Sequence, residues 1–262
     1  MFVDSHCHLS FPELTERLPE IRAQMAAAQV DRALCICTQL EEFERVHALA
    51  LAHDNFWSTV GVHPDNEDVQ EPTFDDLVSR GAHPRVLAVG ETGLDYYRLG
   101  ERSVADMHWQ RERLRVHVRA ARHLAKPLVI HTRSASADTL AILREEGAEQ
   151  AGGVFHCFTE TRAVAEAALE MGFYISFSGI LTFRNAQDLR DIAAWVPLER
   201  CLIETDSPYL APVPFRGKTN TPALVPYVAA ELARLRGLGV DEVAHATSAN
   251  FDRLFKPTDR PA

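Results

Sequence analysis

The sequence lacks the features that mark several specialised classes of protein. Its five cysteines are an odd number and form no CxxC pair, so we do not expect a disulfide framework. No apolar run approaches the roughly 18 residues that a membrane-spanning helix requires. No basic stretch followed by a long apolar run precedes the first predicted strand, so we expect no signal peptide and a cytoplasmic location.

Clusters of basic residues are missing as well. The chain of 262 residues carries 27 Lys and Arg against 37 Asp and Glu, which gives a net charge of -10. Surfaces that bind duplex DNA gain affinity from counterion release and need clustered Lys and Arg, so the composition counts against such a surface. A local nucleic-acid site stays open, because bound metal cations would reverse the local charge.

No low-complexity segment, charged tail or Gly/Ser linker interrupts the chain, which predicts one continuous domain over residues 1–262. Short apolar runs alternate with longer amphipathic stretches, of which 109–125 is the clearest helix. The apolar runs are FVDSH, RALCIC, FWSTVGV, RVLAVGE, PLVIH, GVFH, FYISF and CLIETD. This alternation predicts an α/β fold with a parallel sheet, and eight units in about 250 residues is the usual size of a (β/α)8 TIM barrel. The alternative, a doubly wound open sheet, would need a glycine-rich loop after the first strand, and HCHLSFPEL has no glycine.

Two histidines end the first predicted strand. His6 and His8 are two residues apart. Alternate residues of a strand face the same side, so both imidazoles can reach one metal ion. Taken alone, the pair is equally consistent with two ordinary core histidines.

Further strand ends carry residue types that bind metals. Glu91, His131, His156 and Asp206 each end an apolar run. In a TIM barrel the carboxyl ends of the strands converge on one rim, where enzymes of this fold place their active sites. We therefore interpret the whole set as one metal site and not as independent structural residues.

The ligand set predicts two divalent metal ions. Four histidines and two carboxylates favour ions bound by mixed nitrogen and oxygen ligands, and six ligands are more than one ion would need from the protein. We predict that Glu91, from a middle strand, bridges the two ions. Imidazole favours Zn or Mn, while carboxylate and water also suit Mg, so the identity of the metal stays open.

A pair of acidic residues in ETDSPYL is the predicted catalytic pair. We expect Asp206 to bind a metal and to accept a proton from the attacking water. We expect Glu204 to orient a ligand from behind, with a structural hydrogen bond as the alternative. Cys7 and Cys157 each follow a ligand histidine, and we interpret both as packing residues on the opposite face.

Cationic residues also follow the predicted strands. Arg133 ends the IHTR run, Arg184 follows the seventh strand, and Arg216 and Lys218 follow the eighth. Arginine suits bidentate binding of phosphate. With His63 in GVHP, the three arginines are predicted to contact an anionic substrate, although each alone is equally consistent with a solvated loop residue.

An ordered set of motifs covers nearly the whole chain. The motifs are DSHCHL (4–9), GVHP (61–64), GETGLDYY (90–97), IHTR (130–133), GVFHCF (153–158), YISFSGILTFRNA (174–186) and ETDSPYLAPVPFRGKTN (204–220). In order and spacing the set resembles the TatD family of metal-dependent deoxyribonucleases, close to its bacterial YcfH-like branch. The resemblance implies a TIM barrel, metal ligands at the six positions given above, and 3′–5′ exonuclease action on DNA phosphodiester bonds. One departure is Ser134, where the family often has an acidic residue; it concerns substrate contacts and not a ligand position.

The sequence is therefore interpreted as a monomeric nuclease that acts on single-stranded 3′ ends of DNA. One alternative is a hydrolase of another ester or amide bond, such as an aminoacyl-RNA ester, on the same metal site. Related binuclear amidohydrolases often bridge their metals with a carbamylated lysine, and no Lys ends a strand here. The other alternative, a metal-binding protein without turnover, is disfavoured by the complete ligand set and acid pair.

Overall fold

Eight strands form a single sheet in the computed structural model, which describes residues 1–257. The strands are β1 (Phe2–Cys7), β2 (Val30–Cys35), β3 (Phe56–Val60), β4 (Val86–Asp95), β5 (Leu128–Arg133), β6 (Gly153–Phe155), β7 (Tyr174–Phe177) and β8 (Cys201–Ile203). Their order in the sheet follows the chain, and every neighbouring pair is parallel. The last five residues of the domain predicted over 1–262 lie outside the described residues.

The sheet closes where β8 meets β1. Cys7 and Ser207 form a parallel bridge. The Asp206 N–H donates to the His6 carbonyl at 2.9 Å, and the His8 N–H donates to the Ser207 carbonyl at 2.9 Å. An open doubly wound sheet would leave its edge strands unpaired, so these contacts exclude that alternative. The predicted (β/α)8 barrel is confirmed.

Helices connect the strands and cover the outside of the barrel. They are α1 (Pro12–Thr15), α2 (Leu18–Ala27), α3 (Phe43–Ala52), α4 (Phe74–Gly81), α5 (His108–Leu124), α6 (Ser136–Glu145), α7 (Arg162–Glu170), α8 (Gln187–Trp195), α9 (Val225–Arg236) and α10 (Val240–Phe255). The helix predicted over 109–125 is α5, whose buried face packs on β4 and on α4. Within residues 1–257, no helix combines the length and the apolar character needed to cross a membrane.

The barrel interior is filled by side chains from all eight strands. One cluster of buried residues includes at least one member from each strand, which is geometrically feasible only inside a closed barrel. Its strand members are Val3, Leu34, Trp57, Leu87, Ala88, Val129, Val154, Tyr174 and Leu202. Phe251 of α10 joins this cluster and also lies under Arg32, near the start of β2. Helix α10 therefore closes the end at which the strands begin and leaves the other end for a site.

Candidate metal centre

Histidines and carboxylates meet at the end of the barrel where the strands finish. His6 lies near the end of β1 and His131 near the end of β5, while His156 directly follows β6. Glu91 lies in the second half of β4, and Asp206 comes three residues after the end of β8. Because parallel strands all end at the same rim, residues that are distant in the sequence come into contact there.

Glu91 is at the centre of this cluster. Its Oε1 atom lies 2.7 Å from His156 Nε2, 3.3 Å from His131 Nδ1 and 3.3 Å from His63 Nε2. Its Oε2 atom lies 3.4 Å from His6 Nε2. Burial raises the pKa of Glu91, but the charges of the surrounding histidines, His156 first, outweigh burial and hold that pKa well below its ordinary value. Glu91 is therefore a buried anion with nitrogen atoms on two sides.

His8 and Asp206 lie together on another side of the cluster. Asp206 Oδ1 lies 3.2 Å from His8 Nε2 and 3.5 Å from His6 Nε2. Its side chain is 16% exposed, against 3% for Glu91. Burial raises the pKa of Asp206, but the hydrogen bond with His8 and the charges of neighbouring histidines lower it below its ordinary value. Asp206 is thus an ionised carboxylate that solvent can reach.

The atoms at the centre fit divalent metal ions. In the described part of the chain, several buried imidazole nitrogens form no hydrogen bond of suitable geometry, even where a carboxylate oxygen is close: His6 Nδ1 and Nε2, His8 Nδ1 and His156 Nε2. Such atoms are unfavourable unless a partner satisfies them, and a metal ion would satisfy several at once. Groups of ligand atoms within 4.8 Å of one another are His6/His156/Asp206, His6/His8/Glu91 and His63/Glu91/His131. All of these ligands are imidazole nitrogens or carboxylate oxygens, which suit Mg, Mn or Zn.

His63 lies within the cluster of histidines and carboxylates. It was predicted as a rim residue, yet its Nε2 points at Glu91 and its ring centre is 4.5 Å from that of His131. Its Nδ1 accepts a hydrogen bond from the Asp65 N–H at 3.0 Å, which fixes this orientation. The structure therefore places His63 among the candidate metal ligands.

Glu204 supports His156 from behind. Its Oε1 atom lies 3.2 Å from His156 Nδ1 and accepts a hydrogen bond from the Cys157 N–H at 2.7 Å. A carboxylate in this position fixes the tautomer and the orientation of a metal-binding histidine. The geometry is compatible with the orienting role predicted for Glu204.

Asp95 supports His131 in the same way and was not predicted from the sequence. Its Oδ2 atom lies 3.0 Å from His131 Nε2, and its Oδ1 atom accepts a hydrogen bond from the Tyr97 N–H at 2.8 Å. A signal was present, because Asp95 is four residues after Glu91 on the same strand and so faces the same side.

The interpretation of Cys157 as a packing residue is wrong. Strand β6 ends before it, and its backbone φ of 42° breaks the alternation of faces on which that interpretation depended. Its thiol is partly exposed and lies 3.2 Å from Ser178 Oγ. Burial and the carboxylates of Asp206 and Glu204 raise the pKa of this thiol well above its ordinary value. Cys7, in contrast, is fully buried in the apolar core, as predicted.

Two of the predicted substrate arginines stack on aromatic rings. The guanidinium carbon of Arg133 lies 3.6 Å from the centre of the Tyr97 ring, and that of Arg216 lies 3.5 Å from the centre of the Phe183 ring. Stacking fixes the plane of a guanidinium group and leaves its N–H edge for a phosphate. Arg184 is exposed on the loop after β7 and contacts none of the predicted ligands within residues 1–257.

Fold and site together define a class of protein. A (β/α)8 barrel that collects histidines and carboxylates at its strand ends has the architecture of a metal-dependent hydrolase. The profile of the family described as TatD related DNase matches residues 3–256, and the chain therefore belongs to the TatD family of metal-dependent hydrolases.

Individual relatives are similar over nearly their full length. The Escherichia coli K12 protein named uncharacterized metal-dependent hydrolase YcfH is 49% identical, over 97% of this chain and 95% of its own. The 3′-5′ ssDNA/RNA exonuclease TatD of Citrobacter rodentium is 34% identical over 99% of both chains. The crystal structure of YJJV, a TatD homologue from Escherichia coli K12, has a TM-score of 0.88 at 29% identity and covers 97% of this chain and 98% of that one. The family resemblance seen in the motifs is confirmed.

Proposed function

We propose that this chain is a 3′–5′ exodeoxyribonuclease that hydrolyses phosphodiester bonds of single-stranded DNA with two divalent metal ions. The observation that carries the proposal is the position of Glu91, whose two oxygens are approached by histidines from different strands. A carboxylate contacted on both oxygens suits a bridge between two ions. The name of the Citrobacter rodentium relative supports a nucleic-acid substrate.

The proposed ligands divide into two sets around Glu91. His6, His8 and Asp206 lie on the side of Oε2, and His131 lies with His63 on the side of Oε1. His156 joins the two sets, because its Nε2 contacts Oε1 while its ring stacks on that of His6 at 3.9 Å between centres. Divalent ions held by these residues would supply the positive charge that polarises a phosphoryl oxygen and lowers the pKa of water.

Asp206 is the proposed proton acceptor. It is ionised, it is the more exposed of the two ligand carboxylates, and its Oδ1 already accepts from His8. A water that reaches the scissile phosphate on this side of the cluster therefore meets a base within reach. Glu204 is not the proposed proton acceptor. Its proposed role is to orient His156.

Residues at the rim support the proposal of a single-stranded, anionic substrate. Arg133 and Arg216 present guanidinium groups that can offset the negative charge of the phosphate. Tyr97 and Tyr209 are 60% and 55% exposed. Exposed aromatic rings next to cations bind unpaired bases without regard to sequence. A net charge of -10 fits this reading, because an end-directed nuclease needs only a few phosphate contacts.

Two chromogenic substrates test which bond is cleaved. We expect the metal-loaded protein to hydrolyse bis-p-nitrophenyl phosphate and to leave p-nitrophenyl acetate nearly untouched. Asp206→Asn is expected to lower the phosphodiester rate by at least about 100-fold, since it removes the base. Asp241→Asn, an exposed carboxylate in the first turn of α10, is the matched control. Rapid hydrolysis of the acetate with an inert phosphodiester would contradict the proposal and favour an ester or amide substrate.

A further inference from the structure

A second recess, the β8 cleft, opens beside the metal centre. Its volume is about 450 Å³, within the range of about 300–1,000 Å³ that small-molecule sites span. Its walls come from α1, from the loop after β7 and from the long loop after β8. The lining residues that matter chemically are Glu13, Phe183, Tyr209, Arg216 and Lys218.

The β8 cleft shares a wall with the metal centre. The Tyr209 ring centre lies 6.5 Å from that of His8, and the Tyr209 N–H donates to the Asp206 carbonyl at 3.0 Å. The buried amide of Asn220 donates to the carbonyls of Thr205 and Tyr209 at 3.0 and 2.7 Å. The wall is thus fixed to the end of β8, and a molecule in the cleft lies next to Asp206.

One wall of the cleft is cationic although the chain as a whole is acidic. Arg216 stacks on Phe183 and Lys218 Nζ lies 5.9 Å from the centre of the Phe215 ring. Neither cation forms an ion pair with a carboxylate of residues 1–257, whereas Arg102, on another part of the surface, pairs with Glu67 at 2.8 Å. Glu13 supplies the negative charge of the lining, so two cations and one carboxylate leave a net charge of +1.

We propose that the β8 cleft binds the nucleotide on the 5′ side of the cut bond. Its base would lie against Tyr209, and Arg216 with Lys218 would hold its 5′-phosphate. The inference rests on the proposed 3′–5′ exonuclease function. At a 3′ end the terminal nucleotide contributes the scissile phosphate alone, and every further phosphate lies on the 5′ side. Arg216 and Lys218 lie beside the metal centre and not in it, so they suit a phosphate other than the scissile one. The nucleotide on the 5′ side of the cut bond carries such a phosphate.

Dinucleotide kinetics test this assignment. TpT has the scissile phosphate alone, pTpT adds a 5′-phosphate, and TpTp adds a 3′-phosphate. We expect kcat/KM of the wild-type protein to be at least tenfold higher for pTpT than for TpT, with no such gain for TpTp. The metal ion that supports the fastest hydrolysis of bis-p-nitrophenyl phosphate is used throughout.

Variants locate the effect in the cleft. In Arg216→Met and in Lys218→Met we expect the ratio of kcat/KM for pTpT over TpT to fall towards one, while Arg216→Lys retains part of it. The ratio is taken within each variant, so a general loss of folded or metal-loaded protein does not change it. Arg144→Met is the control, because Arg144 is an exposed cation in the last turn of α6, at the other end of the barrel.

The outcomes separate this inference from the function on which it rests. Equal wild-type rates on pTpT and TpT would overturn the cleft assignment and leave the nuclease proposal standing. A gain for TpTp in place of pTpT would also overturn it, because the cleft would then lie on the 3′ side of the cut. Failure to hydrolyse any dinucleotide or bis-p-nitrophenyl phosphate would overturn both.

Discussion

Four histidines approach a single carboxylate, Glu91, that is almost completely buried. An ionised carboxylate without partners would be strongly unfavourable in such a place. The surrounding imidazoles lower its pKa and keep it charged. At the scale of single residues, we therefore expect the candidate metal centre to depend on this one anion more than on any one histidine.

Replacing Glu91 by Gln removes that anion with little change of volume. We expect the metal content of the purified protein to fall by at least half, and hydrolysis of bis-p-nitrophenyl phosphate to fall by at least about 100-fold. Both are measured on the same sample, by elemental analysis and by a rate assay. Glu145→Gln at the exposed end of α6 is the control. Full metal content in the Glu91 variant would contradict its central position.

Asp95 is expected to act through His131. Asp95→Ala leaves His131 Nε2 without its partner, and we expect the affinity for metal to fall about 10- to 100-fold. Asp95→Asn keeps an oxygen that can accept from His131 and should retain part of the affinity. Competition with a chelator measures both dissociation constants. Unchanged affinity in Asp95→Ala would show that the carboxylate does not position the histidine.

At the scale of elements, α5 holds the loop after β3 that carries His63. The Val62 N–H donates to His117 Nε2 at 3.0 Å, and Arg113 donates to the carbonyls of His63 and Asn66, both at 2.8 Å. His117 Nδ1 lies 2.8 Å from the Arg113 carbonyl, so its proton is on Nδ1 and the ring is neutral. Burial lowers the pKa of His117 to about 4.

This histidine makes stability depend on pH. Between about pH 6.5 and pH 4 His117 is protonated in the unfolded chain and neutral in the folded chain. The free energy of unfolding therefore falls as the pH falls. From pH 7 to pH 5 the contribution is about 2 kcal/mol of the free energy of unfolding. Urea unfolding in the presence of a chelator measures the fall in the free energy of unfolding from pH 7 to pH 5. We expect this fall to be smaller in His117→Gln than in the wild-type protein by about that amount. The exposed His123→Gln is the control, and an unchanged fall in His117→Gln would contradict the argument.

The strands could be predicted from the eight apolar runs, and the candidate ligands from the five runs that end in a residue type that binds metals. The supporting contacts could not. His117 and Arg113 lie on a helix whose pattern shows only which face is buried. Gly93 is one more example: its φ is 145°, and a Cβ atom there would lie 1.8 Å from the His131 carbonyl oxygen. That close approach of β4 and β5 depends on the sheet and not on local sequence.

The rule that alternate residues of a strand face the same side also gave wrong expectations just after the ends of short strands. Strand β8 ends at Ile203, so Glu204 and Asp206 project from irregular chain, and Asp206 has a φ of 56°. Glu204 therefore contacts His156 while Asp206 contacts His8. Their positions follow from the irregular backbone and not from a shared strand face. The positive φ of Cys157, two residues after the end of β6, breaks the alternation in the same way.

At the scale of the whole molecule, an acidic chain has cations at the rim of the candidate site that form no ion pair with a carboxylate of residues 1–257. Three candidate phosphate contacts, Arg133, Arg216 and Lys218, predict a slope of about -2 for log Kobs against log salt with single-stranded DNA, at about 0.7 per contact. Fluorescence titrations with the Asp206→Asn protein measure it without cleavage. We expect Arg216→Met to reduce the slope by about 0.7. A slope several times steeper would indicate a broad binding surface instead. The single domain, the monomeric state and the cytoplasmic location stay predictions.

The most direct test of the proposed function is the fate of single-stranded DNA labelled at its 5′ end. The protein is stripped of metal and then given Mg, Mn or Zn in turn, with Asp206→Asn alongside. We predict a ladder of labelled products that shortens one nucleotide at a time from the 3′ end, requires metal and is absent in the variant. Intact DNA under every metal, from protein shown to bind that metal, would contradict the account.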